Sequence, residues 1–155
     1  MSVKLQKKMI FKGHIAIVAS VFNGDITKDL LSSCLKELKR QGVLDRQITT
    51  VWVAGCFEIP VTALKLAKKK NVDAVICLGA VIRGDTYHFE VVANECARGM
   101  MEVSLQTGKP VIMGVLTTNT VFQAQKRAEA SKGGFNKGRD AARTALEMIA
   151  LLKKI

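Results

Sequence analysis

The chain has 155 residues, enough for one domain with a sizeable core, and 48% are hydrophobic, too many for a disordered segment. The formal net charge is +11, but the lysines are spread over helical segments and both ends of the chain, without an aromatic-interleaved stripe, which argues against specific nucleic-acid recognition. No apolar run reaches the length of a membrane span, and Cys34, Cys56, Cys77 and Cys96 form no CxxC pair, with only His14 and His88 as histidine companions, which argues against a zinc site.

The opening stretch, MSVKLQKKMIFKGHIAIVAS, is basic and then apolar in the manner of a secretion signal. Its apolar part is short, is interrupted by Lys12, Gly13 and His14, and runs into VFN without a cleavage site. It therefore reads as the start of a cytoplasmic protein. Residues 1–12 are expected to form an arm that docks as a strand on the sheet edge of another subunit.

His14 to Ser20 (HIAIVAS) has the β-branched run of a buried strand. The turn VFNGD follows, then a helix with Ile26, Leu30, Leu31, Cys34, Leu35 and Leu38 at helical spacing, stopped at Gly42. Phe22 thus falls at the carboxyl end of a strand, where open α/β sheets bind ligands, or else caps the core. Ile48 to Val53 is the second strand and AGCFEIP its turn. Pro60 suits the first turn of a helix carrying Val61, Leu64, Leu66 and Ala67. Glu58 either complements that helix dipole or, with the N–H groups beyond Gly55, binds hydroxyls of a polar ligand.

The stretch Asp73 to Glu90, DAVICLGAVIRGDTYHFE, organises the rest. Ala74 to Leu78 reads as a strand buried on both faces, and Gly79 and Gly84 read as the brackets of a turn that opens a helix near His88. Free N–H groups and the positive end of the dipole converge at such a junction and suit an anion. The glycine spacing is that of the P-loop, GxxxxGK[ST], but Asp85 stands where that motif needs lysine and would repel a triphosphate. One phosphate held by the N–H groups of Asp85 and Thr86 and by the Thr86 hydroxyl fits; a junction without ligand is the alternative.

Phe89 to Thr107 reads as a helix with Val92, Cys96, Met100 and Val103 on one face, closed by Gly108. Val111 to Leu116 is the fourth strand, and Thr117 to Thr120 cap a short helix containing Gln123, Ala124 and Arg127. After a glycine-bearing loop, Ser131 to Phe135, the run Asn136 to Asp140 opens a last helix. It extends to Lys153, with Ala141, Ala145, Met148 and Leu152 as its apolar stripe. Strands alternating with helices predict an α/β fold: a doubly wound, mainly parallel four-stranded sheet in a single domain over residues 1–155. The turns after the strands then share one sheet edge, which gathers Phe22, Cys56 to Glu58, the Ala80 to His88 loop and the turn after Leu116. Such a set suits a polar heterocycle and a small phosphate.

FNGDIT, AGCFEIP, LGAVIRGDTYHFE, GVLTTNTVFQAQKRA and NKGRDAARTALEM, in this order over nearly the whole chain, resemble the 6,7-dimethyl-8-ribityllumazine synthase family of riboflavin biosynthesis. The resemblance implies a flavodoxin-like three-layer sandwich. It also implies condensation of 5-amino-6-(D-ribitylamino)uracil with 3,4-dihydroxy-2-butanone 4-phosphate, releasing phosphate and water, with neither metal nor organic cofactor. It further implies a homopentamer with active sites between subunits. In many members twelve pentamers close into a capsid, and a riboflavin synthase is a candidate further partner.

By the same resemblance, Phe22 stacks on the pyrimidine with Asn23 beside it. Gly55, Cys56, Phe57 and Glu58 line the ribityl chain, Glu58 accepting from its hydroxyls, and the Cys56 thiol acts as a spacer. Ala80, Val81 and Ile82 read the ring edge through backbone groups. Gly84, Asp85 and Thr86 hold the phosphate, helped by Arg127 from the neighbouring subunit. His88 transfers protons, Asp140 either orients it or only favours its own helix terminus, and Lys137 approaches ring or phosphate from the neighbour. Two features depart from the family pattern. Met113 replaces a usual phenylalanine over the pyrimidine, filling the gap with a flexible thioether that stacks less well. The loop from Arg127 to Asn136 is longer than in capsid-forming relatives, as in pentamers that do not close.

Overall fold

The computed structural model describes residues 10–129 and 134–155. The expected arm is therefore largely outside the described residues, as is most of the Ser131 to Phe135 loop. The strands are β1 (Ile15–Ser20), β2 (Ile48–Val53), β3 (Ala74–Ile82) and β4 (Val111–Thr118). The helices are α1 (Gly24–Arg40), α2 (Ile59–Ala67), α3 (His88–Thr107), α4 (Val121–Ala128) and α5 (Lys137–Leu152), with single 3-10 turns at Asp45–Gln47 and Cys56–Glu58. All neighbouring strands pair in parallel, in the order β2-β1-β3-β4.

The strand periodicity divides the core in two. Ile15, Ile17, Ile76 and Leu78 point to the side covered by α1, α4 and α5, where they meet Leu30, Leu38, Ala124 and Ala145. Ala16, Val18, Val75 and Cys77 point to the other side, against Ile59 and Ala63 of α2 and Cys96, Met100 and Val103 of α3. Both faces of β1 and β3 are covered, which is why those strands read as unbroken apolar runs. This is the doubly wound α/β fold expected from the alternation of elements, in the three layers that the family resemblance implies. Among the described residues no helix is long and apolar enough to cross a membrane.

Three expectations are corrected. β3 does not stop at Leu78: Gly79 to Ile82 continue the ladder against Val115 to Thr118, so Gly79 is a strand residue and no turn. Glycine is needed there for space, because a Cβ would lie 2.5 Å from Ser20 Oγ and 2.7 Å from Cys56 Sγ. In α2 the buried residues are Ile59, Ala63, Leu66 and Ala67, whereas Val61 faces solvent, because the helix begins at Ile59 and sets its phase there. In α5, Ala142 and Ile149 join Ala141 and Ala145 in the core, while Met148 is half-buried and Leu152 exposed. The helix is rolled toward α1, and at Gly138 the two come so close that a Cβ would lie 2.1 Å from the Leu30 carbonyl oxygen.

That contact is joined by a buried charge. Glu37 of α1 accepts from Arg40 Nε at 2.9 Å, Arg40 Nη2 at 2.7 Å, Gln41 Nε2 at 3.0 Å and Arg143 Nε of α5 at 2.9 Å. These donors, Arg40 foremost, hold its carboxyl down at about 2 against the opposing effect of burial.

Candidate active site

The site lies at the carboxyl edge of the sheet, where β3 outlasts β1. The β1–β3 register ends at Ala19 opposite Leu78, leaving the rest of β3 paired only with β4 on its other side. β1 instead bends toward β2: Val21 N donates to Val53 O at 2.8 Å and Phe22 N to Ala54 O at 3.0 Å. Phe22 is thereby raised above the edge, with 72% of its surface free.

Asn23 then takes a left-handed conformation, φ 57° and ψ 40°, which asparagine tolerates better than most residues. Its Nδ2 donates to the Ala80 carbonyl at 2.8 Å, tying the β1 turn to the free side of β3. Strand alternation turns the N–H and C=O of Ile82 toward that same side, whereas Arg83 N is directed to Thr118 O on β4, at 2.9 Å. The edge of β3 therefore offers a donor and an acceptor to a planar polar ring.

The opposite wall is the turn Cys56–Glu58. Pro60 at the head of α2 stops the turn from winding into a longer helix, and Phe57 and Glu58 are left exposed. Cys56 faces inward, its thiol donating to Ser20 Oγ at 3.6 Å. Burial pushes the thiol up from its ordinary pKa, against smaller pulls from Ser20 and the Ala80 N–H. The thiol is therefore protonated at neutral pH.

The third wall is the exposed loop from Arg83 to Tyr87 and the first turn of α3. This helix has 20 residues, and its N-terminus directs the dipole's positive end at the loop. His88 is its first residue and is exposed, and His88 N donates to Thr86 Oγ1 at 3.4 Å.

These walls enclose an open cleft of about 690 Å³. Of the residues expected at the site, it brings together Phe22, Asn23, Gly55, Cys56, Phe57, Glu58, Ala80, Val81, Ile82, Gly84, Thr86 and His88. Asp85 is exposed in the same loop, between two lining residues. Ala54, Phe89, Val91 and Val92 also line it; of these the sequence reading singles out only Val92, on the apolar face of its helix.

Four expected residues are placed elsewhere. Met113 is partly exposed on β4 beside Cys77, on the α2 and α3 side. Arg127 is exposed on α4, its Nη1 donating to Gln123 O at 3.0 Å. Lys137 opens α5, and Asp140 follows one turn later, 3.6 Å from Arg139 Nε. Since α5 covers the face of the sheet opposite α3, Asp140 and His88 belong to elements on opposite sides of the sheet.

A parallel α/β sandwich whose carboxyl edge opens into a cleft lined by the rings of Phe22, Phe57 and Phe89, a strand edge and a helix terminus has the form of an α/β site for small polar, anionic molecules. Sequence comparison carries this further. Residues 12–153 match the family of 6,7-dimethyl-8-ribityllumazine synthase. A protein named 6,7-dimethyl-8-ribityllumazine synthase, from Protochlamydia amoebophila (strain UWE25), is 48% identical over 149 residues, covering 96% of this chain and 86% of its own. The chain belongs to the 6,7-dimethyl-8-ribityllumazine synthase family.

Proposed function

We propose that the cleft is where this chain condenses 5-amino-6-(D-ribitylamino)uracil with 3,4-dihydroxy-2-butanone 4-phosphate, as a transferase of riboflavin biosynthesis. The observation that carries the reading is the convergence of Phe22, the Ala80 to Ile82 edge, the Phe57–Glu58 turn and the head of α3 on one cleft. The pyrimidine lies on the Phe22 ring, with its edge on the backbone groups of β3. The ribityl chain follows Phe57 and Glu58, whose carboxylate accepts from hydroxyls. The phosphate sits on the N–H groups of Asp85 and Thr86, favoured by the α3 dipole.

In this pose the uracil amine attacks the ketone, a Schiff base forms with loss of water, phosphate leaves, and the ribityl-bearing nitrogen closes the ring on the remaining carbonyl with loss of a second water. The α3 terminus stabilises the phosphate's charge as it departs, and His88 exchanges protons at the mouth. Holding two reactants in register supplies roughly 7–11 kcal/mol of barrier reduction. General acid–base transfer supplies about 10²–10⁴-fold, so positioning dominates.

Arg127, Lys137, Asp140 and Met113 lie away from the cleft of their own protomer, and we assign them to the cleft of a neighbour in a cytoplasmic homopentamer. Light scattering tests the pentamer. For the reaction, purified protein receives both substrates, then each alone. Lumazine and phosphate should appear only with both; binding of the substrates without product would favour a non-catalytic flavin-type binder on the same fold.

A further inference from the structure

The loop between β3 and α3 presents Gly84, Asp85 and Thr86 to the phosphate, yet it is exposed and makes few hydrogen bonds of its own. What fixes it lies at its two ends. Arg83, the residue after β3, donates through Nη1 to the Glu90 carboxylate in the first turn of α3. Its guanidinium also sits 4.4 Å over the centre of the Phe89 ring. Its Nε donates to Asn119 Oδ1 at 3.0 Å, in the turn between β4 and α4. Its backbone N–H donates to Thr118 O at 2.9 Å, so the arginine itself is anchored on the sheet.

One planar side chain thus joins the two ends of the loop to each other and to the next turn along the edge. Glu90 is held below the usual carboxylate range, first by the hydrogen bond from Arg83, so the pair stays charged through the neutral range. Arg83 has a fork, a flat face and a fixed charge, and all three are used at once.

We propose that Arg83 is a positioning residue for the phosphorylated substrate: with Glu90, Phe89 and Asn119 it clamps the β3–α3 loop so that the N–H groups of Asp85 and Thr86 and the His88 ring keep one geometry. The inference rests on the reaction proposed above. Arg83 is not among the residues that line the cleft. Exposed ion pairs add little to global stability, so the clamp should register in kinetics, not in unfolding.

The test uses steady-state kinetics on the full chain, varying each substrate separately, beside urea unfolding. Arg83→Gln should lower kcat/KM for the butanone phosphate by about 10–100-fold, the scale of an ångström-sized misplacement. The KM for the ribitylaminouracil and the unfolding midpoint should stay near wild type. Arg83→Lys keeps the charge but cannot make the three contacts together, so it should restore only part of the loss. Glu90→Gln should show the same selective defect, and the double variant Arg83→Gln/Glu90→Gln should be no worse than the poorer single variant, as for residues acting as one unit. Unchanged kinetics in Arg83→Gln would overturn the proposal, as would an equal loss for both substrates accompanied by a lower midpoint, or full recovery with lysine. Wild-type protein that makes no lumazine would instead defeat the underlying reading, which separates the two failures.

Discussion

Replacing Gly79 by alanine adds one methyl group where the fold and the cleft share a wall. The new Cβ would stand 2.5 Å from Ser20 Oγ and 2.7 Å from Cys56 Sγ. Without a clash, alanine in a strand would gain roughly 0.5–1 kcal/mol over glycine. Overpacking costs about 1–3 kcal/mol, and two contacts under 3 Å put this site in the upper half of that range, so a net loss of about 1–2.5 kcal/mol is expected. The two neighbours do not yield equally. Ser20 is fully buried, with Thr27 Oγ1 and the Phe22 carbonyl each 3.4 Å from its hydroxyl. Cys56 belongs to a single 3-10 turn that opens on the cleft, so this turn should move, by about 1 Å, carrying Phe57 and Glu58 with it. Urea unfolding measures the stability, and KM for the ribitylaminouracil measures the displacement. That KM should rise while the KM for the butanone phosphate holds. Cys56→Ala removes one of the two obstructions and should recover about 1 kcal/mol when combined with Gly79→Ala. A Gly79→Ala protein as stable as wild type, or one not relieved by Cys56→Ala, would refute the reasoning.

Four further outcomes are expected. Glu37 has its carboxyl lowered from an ordinary 4.5 to about 2, so its contribution is fully present above pH 4.5 and is lost as pH falls through about 2. Because Arg40 reaches it from solvent, the contribution is about 1–2 kcal/mol, and Glu37→Gln should abolish that acid-range step in urea midpoints. Gly138→Ala would thrust a methyl group against the Leu30 backbone, which cannot swing aside, so it should lose about 3 kcal/mol or more in the same assay. Gly84→Ala meets nothing within 4 Å and should leave the unfolding midpoint unchanged. His88→Ala should turn over slowly but measurably, since positioning outweighs proton transfer; complete loss of activity in a folded protein would contradict that ranking.

The layers of the fold were legible because β1 and β3 are covered on both sides and must read as apolar runs, while α1 and α3 keep a helical apolar period. The extension of β3 was not, because glycine marks turns more often than close contacts. Only the approach of Ser20 and Cys56 shows which applies at Gly79. Glu37 with Arg40 and Gln41 looks like an ordinary helix-surface group, and its burial depends on Arg143, 106 residues away. The walls of the cleft could be read from loops that follow strands, since topology alone aligns those loops. Asn23 does line the cleft, but the bond from its amide to Ala80, 57 residues away, has no signal in the sequence. Arg83 carried no signal, because its partners lie 7 and 36 residues away on other elements. Arg127, Lys137 and Asp140 belong to α4 and α5, where the fold of a single chain gives no geometric reason to join them to the cleft.

The most direct measurement is a crystal structure with inorganic phosphate and a ribityl-pyrimidine analogue of the substrate. Phosphate should lie on the N–H groups of Asp85 and Thr86, the pyrimidine against Phe22, and the ribityl hydroxyls beside Glu58. Phosphate absent from that loop, or the analogue bound away from the β3 edge, would contradict this placement.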